Sequence, residues 1–187
     1  MSEAKPGLKA VLVHEASLLL QQGIEAVSLR RVAMAAGVSP MAPYRHFPDK
    51  AALLGAVAEQ GFEALRLRLE AADRTAQGRA ALIAQGVAYV VFAREQPALF
   101  RLMFATPEQA CVPVDATVGA YGVLARRVAS VYPQDHAAMA TGCWSLVHGL
   151  ATLSMDQAVL LDAEGVHAVL SAMTPAAAEV QPPGRAE

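Results

Sequence analysis

Apolar residues recur every three or four positions along most of the chain, the spacing that gathers them on one face of a helix. Leu8, Val11, Leu12, Ala16 and Leu19 keep this period and predict a first helix from about Pro6 to Gln22. Leu29, Val32, Ala33 and Ala36 repeat it over a shorter stretch. Leu54, Ala58, Phe62, Leu65 and Leu69 carry it through a long helix after Asp49, which Gly55 and Gly61 should weaken slightly. Further helices are predicted over 77–94, 98–105, 114–131, 136–155 and 166–173, with Pro97, Pro107, Pro113 and Pro133 marking breaks. Sustained alternation is missing, as are Asn-Gly and Asp-Gly hairpin turns. The pattern is that of an all-α protein without internal repeats.

One segment departs from the amphipathic rule. Residues 136–155 contain no Asp, Glu, Lys or Arg, and a stretch of this length is long enough to span a bilayer. Two histidines, two glycines and four hydroxyl residues argue against lipid, as does the lack of flanking Lys or Arg. At helical spacing Gly142, Ser145, Gly149 and Thr152 share one face, while Trp144, His148, Ala151 and Met155 share another. A helix with no charged face needs burial all round, so a second subunit over the small-residue face is expected in place of a membrane.

The densest local signals lie between Ser28 and Lys50. Ser28 stands where an N-cap belongs, ahead of the Leu29–Ala36 pattern. Gly37 permits a sharp turn and Val38 plugs the angle between two helices. Ser39 is placed to cap a second helix, with Pro40 at its first position and Pro48 at its end. Pro43 falls inside that second helix and removes one hydrogen bond near its start. Asp49 should cap the long helix that follows. Two short helices about a glycine turn form a helix-turn-helix, whose second helix enters a DNA major groove.

The stretch Gly23 to Leu54, GIEAVSLRRVAMAAGVSPMAPYRHFPDKAALL, resembles the DNA-binding domain of the TetR family of transcriptional regulators. The G-V-S turn, the Y-x-H-F ending and the P-x-K-x-x-L that follows occur together in register. PALFRLMFA (97–105) and WSLVHGLATL (144–153) resemble a C-terminal ligand-binding and dimerisation domain of one branch of that family. The resemblance implies a DNA-binding domain over residues 1–50 and a regulatory and dimerisation domain over 51–174. Residues 175–187, with Pro182-Pro183-Gly184, read as a disordered tail. It further implies a homodimeric repressor on double-stranded DNA, released from a palindromic operator by a small, largely apolar effector.

Net charge sharpens this picture. The chain carries −2 overall, but residues 1–50 carry +2 and the remainder −4. A basic end on an acidic body suits phosphate contact at one end only. The resemblance places backbone contacts at Tyr44, His46 and Lys50, and each side chain can donate to a phosphate oxygen. Tyr44 and His46 have a rival role in packing the short helix. The caps Ser28 and Ser39 mark helix starts, where free N–H groups favour phosphate. Base reading falls to Arg30 or Arg45, either of which can grip guanine bidentately, and to the apolar Pro40, Met41 and Ala42. Arg31 suits phosphate better.

In the body, Phe92, Phe100, Met103, Phe104, Tyr121, Trp144 and His148 are the large groups offered for an effector pocket. They are equally candidates for plain core, and His148 for a buried histidine at a dimer seam. Enzyme signatures are lacking: there is no G-x-S-x-G, no H-E-x-x-H and no phosphate-binding glycine loop. Cys143 and His148 stand about 140° apart round a helix and cannot pair as nucleophile and base. Two isolated cysteines make neither a disulfide framework nor a zinc site, and no cofactor is expected. With no signal pattern at the N-terminus, a cytoplasmic protein is expected. The competing class is a helical sensor or carrier of small molecules that does not bind DNA.

Overall fold

The computed structural model describes residues 7–174, apart from the side chains of Val114 and Ala116. Eight α-helices and two 3-10 turns account for its regular structure, with no strand among the described residues. The helices are α1 (Leu8–Leu20), α2 (Leu29–Ala35), α3 (Lys50–Asp73), α4 (Gly78–Glu95), α5 (Pro97–Met103), α6 (Val114–Val131), α7 (His136–Met155) and α8 (Ala163–Met173). The all-α expectation holds. The tail expected over 175–187 lies outside the described residues.

Helix α3 organises the rest. It packs on α1 at its start and on α4, α5 and α6 farther along. Leu54, Ala58, Phe62, Leu65 and Leu69 are all buried, as their spacing requires. Helix α4 lies beside it and carries α7 and α8 on its other flank. Arg79 staples the ends of α4 and α8 by donating to the carbonyls of Thr174 and Ser171. Arg94 does the same at the opposite end through the Leu161 carbonyl. One apolar core runs without a break from Leu12 and Val32 near the N-terminus to Val147 and Leu170 in the body.

Four local expectations need correction. The buried face of α1 is Leu12, Val13, Ala16 and Leu20, whereas Leu8, Val11 and Leu19 are only partly covered. Helix α1 contacts both α2 and α3. Helix α8 starts at Ala163, ahead of Val166, because the Asp162 carboxylate caps it by accepting from the Gly165 N–H at 2.8 Å. Gly55 and Gly61 are contact points before they are weaknesses. A Cβ on Gly55 would lie 2.1 Å from the Cys111 carbonyl oxygen, and one on Gly61 2.8 Å from the Met103 sulfur. The fourth concerns the second helix of the helix-turn-helix, described below.

Among the described residues no helix is long and apolar enough to cross a membrane. The hydroxyl and glycine content of α7 lowers its hydropathy. Of its small-residue face Gly142, Ser145 and Thr152 are exposed on the single chain and Gly149 is partly covered, while Ala140, Val147, Leu150 and Ala151 are buried.

Candidate functional site

The N-terminal head is assembled by local signals that act as read. The Ser28 hydroxyl accepts from the Arg31 N–H at 3.2 Å and caps α2. Gly37 takes φ +67°, a left-handed conformation that suits glycine. Its turn closes α2 through the bond from the Val38 N–H to the Ala33 carbonyl at 2.9 Å. The Asp49 carboxylate accepts from the Ala52 N–H at 2.8 Å and caps α3.

The expected second helix, with Ser39 as its cap, is instead a run of tight turns ending in a single 3-10 turn at Pro43–Arg45. With Ser39 at the cap position, residue 43 would donate the first i→i−4 bond, and Pro43 has no N–H to give. The Ser39 carbonyl takes the Ala42 N–H at 2.9 Å, and Arg45 bonds back only to Ala42, at 3.2 Å. Pro43 therefore sets the geometry of the whole element, more than the loss of one early bond would suggest. Both Pro43 and Phe47 are buried and anchor the turns to the head core.

This anchoring leaves the other side chains of the segment outward. Met41 is 68% exposed and Tyr44 49%, with Arg30, Arg31, Ser39, Pro40, Arg45 and His46 also exposed, Ala42 and Ser28 less so. Neither Tyr44 nor His46 is a core residue. Arg31 reaches the Gln22 side-chain oxygen at 3.5 Å. Lys50, half-covered, points its ammonium towards Glu25 at 3.9 Å. The remaining cations carry no ion pair among the described residues, so the surface offers guanidinium, phenol, imidazole and ammonium groups together.

The body holds a partly open apolar cavity of about 50 Å³ between α3, α4, α6, α7 and α8. Phe62, Leu65 and Leu69 of α3 form one wall, Gln85 and Tyr89 of α4 a second, and Trp144 of α7 a third. That volume holds a few waters, since one needs about 10–15 Å³, so an organic molecule must push side chains aside. Of the seven pocket candidates, Phe104, Tyr121 and Trp144 line it. Phe92, Phe100 and Met103 are fully buried beyond it and serve the core. His148 also lies outside the lining, next to Trp144 and Phe104, with ring centroids 6.2 and 4.6 Å away. Its Nδ1 meets the Tyr89 hydroxyl at 2.9 Å, which places it inside its own chain and away from the exposed face of α7. Burial lowers its pKa from the ordinary histidine value. Burial also pushes up the Tyr89 phenol and the Cys143 thiol, so both stay protonated.

Sequence reasoning missed the polar corner of this cavity. Gln85 is 2% exposed, and its Nε2 donates to Asp73 Oδ1 at 2.5 Å. Arg127 grips the same carboxylate with two bonds of 2.7 and 2.8 Å. Arg127 in turn holds the Asp73 pKa below the usual carboxylate value. The available signal was a lone amide inside the apolar run AALIAQGVAYVV of α4.

Comparison with known proteins finds matches in both parts of the chain. Residues 16–57 match the family model described as bacterial regulatory proteins, tetR family. Residues 82–176 match the tetracyclin repressor-like C-terminal domain. A solved protein of unknown function from a Rhodococcus species is 33% identical and covers 92% of this chain and 96% of its own, with a TM-score of 0.78. The TetR family transcriptional regulator PfmR from Thermus thermophilus shares the fold, at 22% identity and a TM-score of 0.61, over 86% of this chain and 94% of its own. The nucleoid occlusion factor SlmA of Haemophilus ducreyi is 34% identical over 85 residues, 44% of this chain and 42% of that relative's length. The chain belongs to the TetR family of DNA-binding transcriptional regulators.

Proposed function

We propose that the protein is a homodimeric repressor that holds a palindromic operator with two N-terminal heads, residues 1–50, and releases it when a small neutral molecule enters the cavity of the body, residues 51–174. The observation that carries this reading is the continuity of α3. It begins at Lys50 in the head, and its Phe62, Leu65 and Leu69 wall the cavity. Twenty-four residues at a rise of about 1.5 Å each make a rigid rod of roughly 36 Å. Displacing one wall of the cavity tilts this rod and swings the reading head. Phosphate contacts fall to Tyr44, His46, Lys50, Arg31 and the caps Ser28 and Ser39. Base contacts fall to Arg30, Arg45, Pro40, Met41 and Ala42. Retention of this cationic surface favours a DNA-binding regulator over a carrier that has lost DNA.

The dimer seam is assigned to the exposed small-residue face of α7. A Cβ added to Gly142 would meet nothing within 4 Å in the single chain, so Gly142→Leu leaves the subunit's own packing intact. Two-fold symmetry then requires half-sites about 34–36 Å apart, or a multiple of that spacing. The test is light scattering and footprinting on the DNA beside the gene. A dimer protecting an inverted repeat, with Gly142→Leu monomeric and weak in binding, supports the proposal. A monomer at micromolar concentration, or protection without symmetry, refutes it.

A further inference from the structure

We infer that Gln85 selects a neutral effector carrying an O–H or N–H on an apolar body, by presenting its Oε1 as the waiting acceptor at the cavity wall. The inference rests on the proposal above that the cavity takes an effector. Among the described residues, the buried side-chain polar atoms without a partner are Gln85 Oε1 and Ser154 Oγ. Only Gln85 lines the cavity.

The orientation of this amide is fixed by chemistry. Its other end contacts the Asp73 carboxylate, which Arg127 keeps ionised and which can only accept. Turning the amide over would set oxygen against oxygen at 2.5 Å, so the carbonyl must be the end left free. A buried acceptor without a donor is costly. Water-sized groups do not reach this oxygen in the structure, so a ligand that pushes the lining side chains aside and packs against it must bring its own donor. The cavity lining carries no charged side chain among the described residues, which excludes ionic effectors by the cost of stripping their hydration. The Tyr89 hydroxyl beside Gln85 already has a partner in His148 Nδ1, whereas Gln85 Oε1 has none.

The same amide ties recognition to the rod. Its Nε2 is bonded to Asp73, the last residue of α3. A donor arriving at Oε1 polarises the amide and strengthens that bond. The effector is thereby felt at the end of the helix whose beginning carries Lys50.

The test uses the full chain with phenol, toluene and anisole, which share an aromatic body and differ in offering a donor, no polar group, or an acceptor. Trp144, the single tryptophan, lines the cavity, so its emission reports occupancy, with calorimetry as the second readout. A dry apolar slot prefers toluene, because a hydroxyl must shed water to enter. With Gln85 as acceptor the order reverses: phenol binds more tightly than toluene, and anisole sides with toluene. In Gln85→Met the phenol-to-toluene affinity ratio falls about 5- to 100-fold. Equal or toluene-favouring binding to the wild type overturns the inference, even if Gln85→Met does not fold. So does a phenol preference that survives in Gln85→Met. If none of the three binds, the inference falls together with the cavity's role, and operator binding by the same sample shows whether the DNA-binding proposal still stands.

Discussion

Replacing Lys50 with alanine separates DNA contact from folding more cleanly than any other change in the head. Lys50 is the first residue of α3, where the positive end of the helix dipole disfavours a cation. Its partner Glu25 is 94% exposed and 3.9 Å away, a solvated pair worth about 0–1 kcal/mol. The ammonium therefore contributes little to the fold, and Lys50→Ala should leave the melting temperature unchanged or slightly raised. A phosphate contact has a different signature, because each one releases condensed counterions. The slope of log K against log salt changes by about 0.9 per phosphate on B-DNA, hence by about 1.8 when both heads of a dimer lose one. Between about 50 and 200 mM salt, the wild type should then lose about 12-fold more affinity than the variant. Fluorescence anisotropy on operator and unrelated duplexes should show the same change in slope on both. An unchanged slope removes Lys50 from the phosphate contacts, and a lowered melting temperature refutes the claim that the fold does not need it.

Gly55→Ala should lower stability by about 1–3 kcal/mol in thermal unfolding, because the new methyl meets the Cys111 backbone and drives away the loop whose N–H bonds Ala51 at 3.2 Å. The same change in open space would stabilise the helix, so a raised melting temperature refutes the close approach. Asp73→Ala strands Arg127, which solvent partly screens, together with the buried Gln85 amide, and should cost about 1–3 kcal/mol in urea unfolding; an unchanged midpoint would show the corner to be idle. The lowered pKa of half-buried His148 means that the unfolded chain binds a proton that the folded one refuses. Its contribution is therefore complete above about pH 6.5 and is lost as pH falls towards the lowered value. His148→Gln should reduce the drop in melting temperature between about pH 7 and pH 5, and an undiminished drop assigns the effect to other groups.

Elements set by near neighbours were legible in the sequence. Ser28 and Asp49 cap the helices that follow them through N–H groups three residues on, Gly37 ends α2 by its own backbone freedom, and the bounds of α6 and the start of α7 follow from local period and nearby prolines. The form of the recognition segment was also local, but two rules collided there. Pro40 favours a helix start, while Pro43 removes the bond that would propagate it, and the second effect wins because nucleation depends on that bond. The cavity was less legible. Aromatic residues can be listed from the sequence, but whether Trp144 faces a void and Phe92 the core depends on how five helices meet. The polar corner joins Gln85 to Asp73 across 12 positions and Arg127 to Asp73 across 54, and Tyr89 reaches His148 across 59. The sequence alone determined the all-α class, the approximate places of the eight α-helices and which end of the protein is basic, since periodicity, caps and charge act within a turn or two. Tertiary structure decided which buried amide would be left one hydrogen bond short, because such a vacancy depends on partners that only packing brings within about 3 Å.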